Sequence, residues 1–186
     1  MIRTYKTEGI ILKRSNFGEA DRLLTVFTKH YGKIRCRAPG IRKIISRKAP
    51  HLELFNLSTI FLVQGKNMDI VTEAVTINNF SRFKKNLDKV KIAYYLCELV
   101  DALCPEKQEN REVFELLNQA LGILSCGGST SMEVEPLKDN FANQLLWFLG
   151  YLPRQRILIG EQLTNFIEDI IGRKLKSQKL LGEIAW

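Results

Sequence analysis

The side chains able to make or break bonds are few in this chain and poorly spaced for it. Glu19 and Asp21 could exchange a proton with a substrate, but both belong to "SNFGEAD", a glycine-bearing turn where carboxylates commonly serve the local backbone. His30, in "KHYGK", reads as a strand-end residue or a base-stacking partner ahead of a general base. The glycines of "LGILSCGGSTS" lack the lysine that a phosphate loop needs, and there is no Gly-x-Ser-x-Gly. Cys36, Cys97, Cys104 and Cys126 show no C-x-x-C spacing. With His30 and His51 alone to join them, no zinc site can be assembled from neighbouring ligands. Cys97 and Cys104, seven apart, share an apolar helical stripe. These residue types point away from an enzyme and offer no catalytic, metal or cofactor site.

Charge is a different matter. The net charge is +8, and residues 1–50 hold more than all of it: thirteen Lys or Arg stand there against three acidic residues, versus fifteen against seventeen in the remainder. The densest stretch is "KIRCRAPGIRKIISRK", residues 33–48, with seven basic side chains and no acidic one. Its first half alternates. With Ile34, Cys36 and Ala38 turned inward, Lys33, Arg35 and Arg37 share one outer strand face at a spacing of about 7 Å, comparable to the phosphate repeat of an extended single strand. Arg42, Lys43, Arg47 and Lys48 extend the field through what is expected to be a mobile loop, "PGIRKIISRK". Lys13, Arg14 and Arg22 add to it if the first two strands are neighbours, and Phe17 and Tyr31 are candidate stacking platforms. A basic strand face can also be a solvated edge that blocks aggregation, but such edges usually mix both signs. The pattern favours polyanion binding through phosphates. About five contacts on a single strand would give a salt slope of roughly −3.5. No reading helix or ordered set of amide side chains argues for base specificity.

These side chains need a scaffold, and the hydrophobic periodicity supplies one. "TEGIILKR", "RLLTVFTKH", "KIRCRA", "LELFNLSTIFLVQ" and "DIVTEAVTI" read as five strands joined by turns, the strand count of an OB-fold β-barrel. From Phe80 the period changes from two to 3.6. Apolar stripes run through residues 93–104, 113–124, 141–149 and 163–171, separated by Pro105, Gly127-Gly128-Ser129, and Pro153 with Gly160. The expected fold class is α+β and multidomain: a five-stranded OB-fold over residues 1–79, then an α-helical domain over residues 80–186. No run of eighteen apolar residues occurs, and the charge-broken N-terminus is unlike a signal or transit peptide, so a cytoplasmic location is expected.

Taken in order, "TEGIILKRSNFGEADRLLTVFTKHYGKIRCRAPGIRK", "SRK", "HLELFNLSTIFLVQGKNMDIVTEAVTINNF", "KIAYYLCELVDALCPE", "FANQLLWFLGYLP" and "GRKLKSQKLL" resemble the RecO family of recombination mediators, bacterial DNA-repair proteins. The resemblance implies an N-terminal OB-fold, a helical C-terminal domain, and binding of single- and double-stranded DNA at the nucleoid. It also implies annealing of complementary strands, partnership with RecR, contact with the acidic C-terminal tail of single-strand-binding protein, indirect help in loading RecA, and no catalytic turnover. Many members carry a zinc-binding cysteine cluster just after the equivalent of "LGYLP". Here that position reads "RQRILIGEQL", so no zinc is carried over, and the short chain reads as loss of this insertion with a reduced partner surface. Arg173, Lys174, Lys176 and Lys179 form a second basic cluster. A solvated helix terminus and a contact for DNA or an acidic tail account for it equally well.

Two other readings stay open at this point. One is a protein-interaction adaptor that docks RecR or the acidic tail with little DNA binding of its own. The other is an RNA-binding OB protein, which suits the barrel but not the long helical half.

Overall fold

One long strand does the work of closing the barrel. A computed structural model describes residues 3–126 and 131–177, with the backbone alone for 131–135. In it β1 (Thr4–Phe17) pairs antiparallel with β4 (Leu57–Val63) along Thr4–Ile10 and with β2 (Asp21–Thr28) along Gly9–Phe17. A bulge between Ile11 and Lys13 bends the strand between its two neighbours. Gly9 stands where both pairings overlap, and a Cβ there would lie 2.5 Å from Val26 Cγ1. β3 (Gly32–Ala38) pairs antiparallel with β2 and parallel with β5 (Asp69–Asn78), giving a closed barrel in the order β1-β2-β3-β5-β4. This is the five-stranded OB-fold that the strand count predicts. Inward residues of the strands, among them Ile11, Leu24, Val26, Ile34, Cys36, Ala38, Ile60, Leu62 and Val71, fill it together with Ile41 and Leu52 from the connection after β3.

One predicted strand is shorter than its pattern. "LELFNLSTIFLVQ" begins as a 3₁₀ turn (Ala49–Leu52) and a second turn in which the Asn56 amide N–H bonds the Glu53 carbonyl, with Phe55 at φ +70°. Leu52 and Phe55 are buried, so this apolar run serves the core without pairing as a strand. Apolar residues at such spacing fit either outcome, and closure of the core over Leu52 and Phe55 decides it.

The chain forms two compact units. The first comprises the chain to Asn79 with Pro105–Phe114; the second comprises Phe80–Cys104 and the chain from Glu115 onward. The return of residues 105–114 to the barrel is not visible in the periodicity. Glu106 bridges to Lys33 along β3, and the Lys107 amide N–H donates to the Lys33 carbonyl at 2.9 Å. Gly32 permits this approach: it has φ +62°, and a Cβ there would stand 1.9 Å from the Gln108 carbonyl oxygen.

The helices are α1 (Leu87–Leu103), α2 (Arg111–Ser125), α3 (Ser131–Phe148) and α4 (Gly160–Ile171). Asn86 caps α1 by accepting from the Asp88 and Lys89 amides, and Gly172 ends α4 in the left-handed conformation. In the helical unit α1 packs on α3, and α4 on both, through the stripes read from sequence. The buried Lys89 ammonium donates to the Leu124 and Cys126 carbonyls (3.2 and 3.4 Å), which end α2. Buried Asn143 ties α3 to the segment before α4 through both atoms of its amide, bonding the Leu158 carbonyl and amide at 2.8 and 2.9 Å. No described helix is long and apolar enough to cross a membrane.

Candidate nucleic-acid interface

The outer face of the barrel at the β1–β2 turn gathers several of the predicted cations, and strand register shows which. Lys13 faces Thr25, and Thr25 faces Arg35, so these three form one row across β1, β2 and β3. Ser15, Leu23 and Arg37 form the next. Residues directly opposite in antiparallel strands project to the same side, which sets Lys13 and Arg35 about 10 Å apart and Arg35 and Arg37 about 7 Å apart. Lys13, Arg35 and Arg37 are all exposed. Phe17, 44 % exposed, lies at the end of the same face with the Arg37 guanidinium 5.3 Å from its ring centroid. An aromatic surface and three cations are thus held on rigid strands, a combination suited to phosphates and an unstacked base.

The connection after β3 brings further charge to this end of the barrel. It is not the loose loop that its composition suggests. Ile41 is buried in the barrel core, the Arg42 amide donates to the Ala20 carbonyl at 2.9 Å, and the Gly40 amide to Asp21 Oδ1 at 2.7 Å. Two successive turns follow, closed by Lys43 N–H to the Gly40 carbonyl and Ser46 N–H to the Lys43 carbonyl. Arg42, Lys43 and Arg47 remain exposed. Between this connection and the β1–β2 turn lies an open cleft of about 550 Å³, whose lining includes Phe17, Asp21, Arg37 and Lys43.

Other predicted contacts are committed elsewhere. Lys33 has the outward parity but is only 6 % exposed, because Glu106–Gln108 lies along that end of β3; the expected row of three on this strand is a row of two. The Lys48 ammonium donates to the Val71 carbonyl at 3.1 Å, and burial lowers its pKa. Arg14 and Arg22 converge on Glu53, Arg14 in a close ion pair and Arg22 at 3.5 Å. Tyr31 is exposed but packs against Tyr5, with ring centroids 4.7 Å apart, at the other end of β2. The length of β2 puts it about 23 Å from the Phe17 end. His30 stands nearby with Arg111 at 3.3 Å and Glu109 at 3.8 Å. Tyr5 donates to Asp69, and burial, then that carboxylate, raises its pKa.

Carboxylates absent from the basic stretch arrive from other parts of the chain. Arg35 Nε lies 2.7 Å from Glu106, and Arg37 binds Asp21 Oδ2 through Nε and Nη2, each at 2.6 Å. The Gly40 amide, followed by the Arg37 guanidinium, holds the Asp21 carboxyl below its ordinary pKa. Asp21 thus acts as a clamp between β2, β3 and the basic connection, using both oxygens. Among the described residues, no ion pair involves Lys13, Arg42, Lys43 or Arg47. Nothing in the local sequence signals Glu53 or Glu106 as partners. Register, once known, finds the Lys13–Arg35 pairing.

In the helical unit, Arg173 lies 3.0 Å from Glu98, which also accepts from the Lys176 and Ser177 amides. Burial alone would raise the Glu98 carboxyl, but hydrogen bonds from Ser177, Lys176 and Arg173 outweigh it and hold the pKa low. Lys174 and Lys176 are exposed, and Lys179 lies outside the described residues. Of the thiols, Cys36, Cys97 and Cys104 are buried; burial pushes Cys36 up to about 12 and raises Cys97 further, so neither is a ready nucleophile. No group of three or more His, Cys, Asp or Glu side chains converges as a metal site among the described residues.

Comparison with known proteins bears directly on this arrangement. Residues 1–80 match the family described as Recombination protein O N terminal, and residues 84–156 match Recombination protein O C terminal. The chain is 40 % identical over 152 residues to the DNA repair protein RecO of Roseiflexus sp. (strain RS-1), covering 82 % of this chain and 52 % of that one. It is 35 % identical over 173 residues to the DNA repair protein RecO of Gloeothece citriformis (strain PCC 7424), covering 91 % and 61 %. With the DNA repair protein RecO of Pelotomaculum thermopropionicum it shares 32 % identity over 152 residues, covering 82 % and 57 %. The matches thus span roughly half to three fifths of each relative's length. Two matched domains in order, the OB barrel and the helices that follow it place this chain in the RecO family of DNA-repair proteins.

Proposed function

We propose that this chain is a non-enzymatic recombination mediator that binds single- and double-stranded DNA through the β1–β2–β3 face and anneals complementary strands. The observation that carries this reading is the shared outer face of Lys13, Arg35 and Arg37 beside Phe17, continued by Arg42, Lys43 and Arg47. Cations at these spacings meet phosphates without reading bases, and an annealing protein must accept any sequence. The ion pairs of Arg35 and Arg37 do not oppose it. Arg35 and Glu106 are both exposed, and such pairs contribute about 0–1 kcal/mol, within reach of a competing phosphate. Arg37 keeps an exposed side chain beside Phe17 while Asp21 holds its Nε and Nη2.

Family membership supports the partners: RecR, the acidic tail of single-strand-binding protein and, through them, RecA. In the helical unit Tyr151, Ile157 and Ile159 are exposed beside Arg154 and Arg156, a mixture that suits an acidic segment with apolar residues. This observation also favours the adaptor reading, in which the helices dock partners and the barrel binds little DNA.

One experiment separates the two. Annealing of complementary oligonucleotides is measured with and without single-strand-binding protein, for the parent and for Arg35→Glu with Arg37→Glu. Loss of both DNA affinity and annealing, with partner pull-down retained, is expected. Retention of both would refute the proposed face, and a parent with partner binding but no DNA binding would establish the adaptor.

A further inference from the structure

The basic connection carries an oddity that phosphate binding does not explain. Ile44 and Ile45 are 104 % and 86 % exposed, as open as a side chain can be. They occupy the two central positions of the turn closed by Ser46 N–H to the Lys43 carbonyl at 2.9 Å. Such positions favour Pro, Asn, Asp, Ser or Gly, and β-branched residues are poor choices for them. The neighbouring isoleucine, Ile41, shows the contrast: it is 2 % exposed and anchors the connection in the barrel core. The connection is held at its base by Arg42 N–H to Ala20 and by Lys48 Nζ to Val71, so the two isoleucines are held out from the barrel. A sequence that breaks local preference at a fully exposed point usually does so for a ligand.

The surroundings say what the ligand is. Arg42, Lys43 and Arg47 flank the pair, are exposed, and take part in no ion pair among the described residues, and residues 33–48 contain no carboxylate. An apolar tip ringed by cations complements a polymer with phosphates outside and apolar ring faces inside. We propose that Ile44 and Ile45 form a wedge that enters between neighbouring bases of a bound DNA strand while Arg42, Lys43 and Arg47 hold the flanking phosphates. The inference rests on the DNA-binding reading above and deepens it. Aliphatic side chains used in this way unstack a base step without reading its identity. For an annealing protein the consequence is direct: a strand held with parted bases is prevented from stacking on itself and presents its edges to a complement.

The test uses the full chain and a single-stranded oligonucleotide carrying 2-aminopurine, whose fluorescence rises when it unstacks. The parent is expected to raise the signal on binding. Ile44→Ser with Ile45→Ser is expected to abolish the rise, weaken binding about tenfold, and leave the salt slope unchanged because no phosphate contact is lost. Both side chains are solvent-exposed, so the melting temperature should match the parent, which a thermal scan checks. A parent that binds DNA but raises no fluorescence, or a double-serine variant that raises it equally, overturns the wedge and leaves the DNA-binding face standing. A parent that binds no DNA overturns both. Binding to anionic phosphatidylglycerol vesicles that requires the two isoleucines, without any 2-aminopurine response, would assign the tip to a lipid surface and overturn the wedge.

Discussion

Exchanging Lys43 and Arg47 for alanine should change the salt dependence of DNA binding, whereas removing Lys48 or Arg14 should not. Sequence alone names all four as candidate contacts, Arg14 on the condition that the first two strands are neighbours. The structure separates them: Lys43 and Arg47 are exposed without an ion pair, Lys48 donates to the Val71 carbonyl, and Arg14 is paired with Glu53. Six cations point outward at this end of the barrel: Lys13, Arg35, Arg37, Arg42, Lys43 and Arg47. If each neutralises one phosphate of a single strand, the slope of log affinity against log salt is about −4.2, or roughly 300-fold weakening between 50 and 200 mM salt. Without Lys43 and Arg47 the slope should fall to about −2.8, and the weakening to roughly 50-fold. Lys48→Ala and Arg14→Ala should hold the parent slope within about 0.7, one phosphate contact, while lowering the melting temperature. Fluorescence anisotropy of a labelled oligonucleotide across a salt series measures all of these. Equal loss of slope in the Lys48 or Arg14 variants and in the Lys43–Arg47 variant would refute the reasoning, because it would show that internal commitment does not decide which cations meet DNA.

Three further outcomes probe the scaffold. Ala38→Leu adds volume to a fully buried position in the barrel and should cost about 1–3 kcal/mol in denaturant unfolding, with the salt slope unchanged. Lys89→Met removes the donor shared by the Leu124 and Cys126 carbonyls and should destabilise by about 1–3 kcal/mol without altering the salt slope; unchanged stability would show that water satisfies those carbonyls equally well. Glu98 has a lowered folded pKa, so its contribution is present above the ordinary glutamate value of about 4.3 and is lost as pH falls through the folded value. Glu98→Gln should therefore melt below the parent at neutral pH and converge with it as the pH falls, and a gap that does not narrow at all with acidification would contradict this.

Much of the architecture was legible because it is periodic. Alternation in "KIRCRA" put Ile34, Cys36 and Ala38 inside and Arg35 and Arg37 outside, as the structure has them. The stripes of α1 to α4 were likewise local repeats that any helix must bury. Apolar spacing in "LELFNLSTIFLVQ" was ambiguous between strand and turn, and only the closed core resolves it. Charge totals show that the excess lies in the first fifty residues, since a sum needs no coordinates.

What charge totals cannot show is which cations stay open. Lys33 has the parity of Arg35, yet residues 105–114 return from far along the chain to cover it. Arg14 and Arg22 meet Glu53, and Lys48 meets a carbonyl of β5. Parity is set by the backbone within a few residues, so the sequence alone determines the faces of the strands and helices. Ion pairing falls off with distance in space, and partners dozens of residues apart become neighbours only when the barrel closes. The tertiary structure therefore decided which part of a basic stretch remains available to a polyanion.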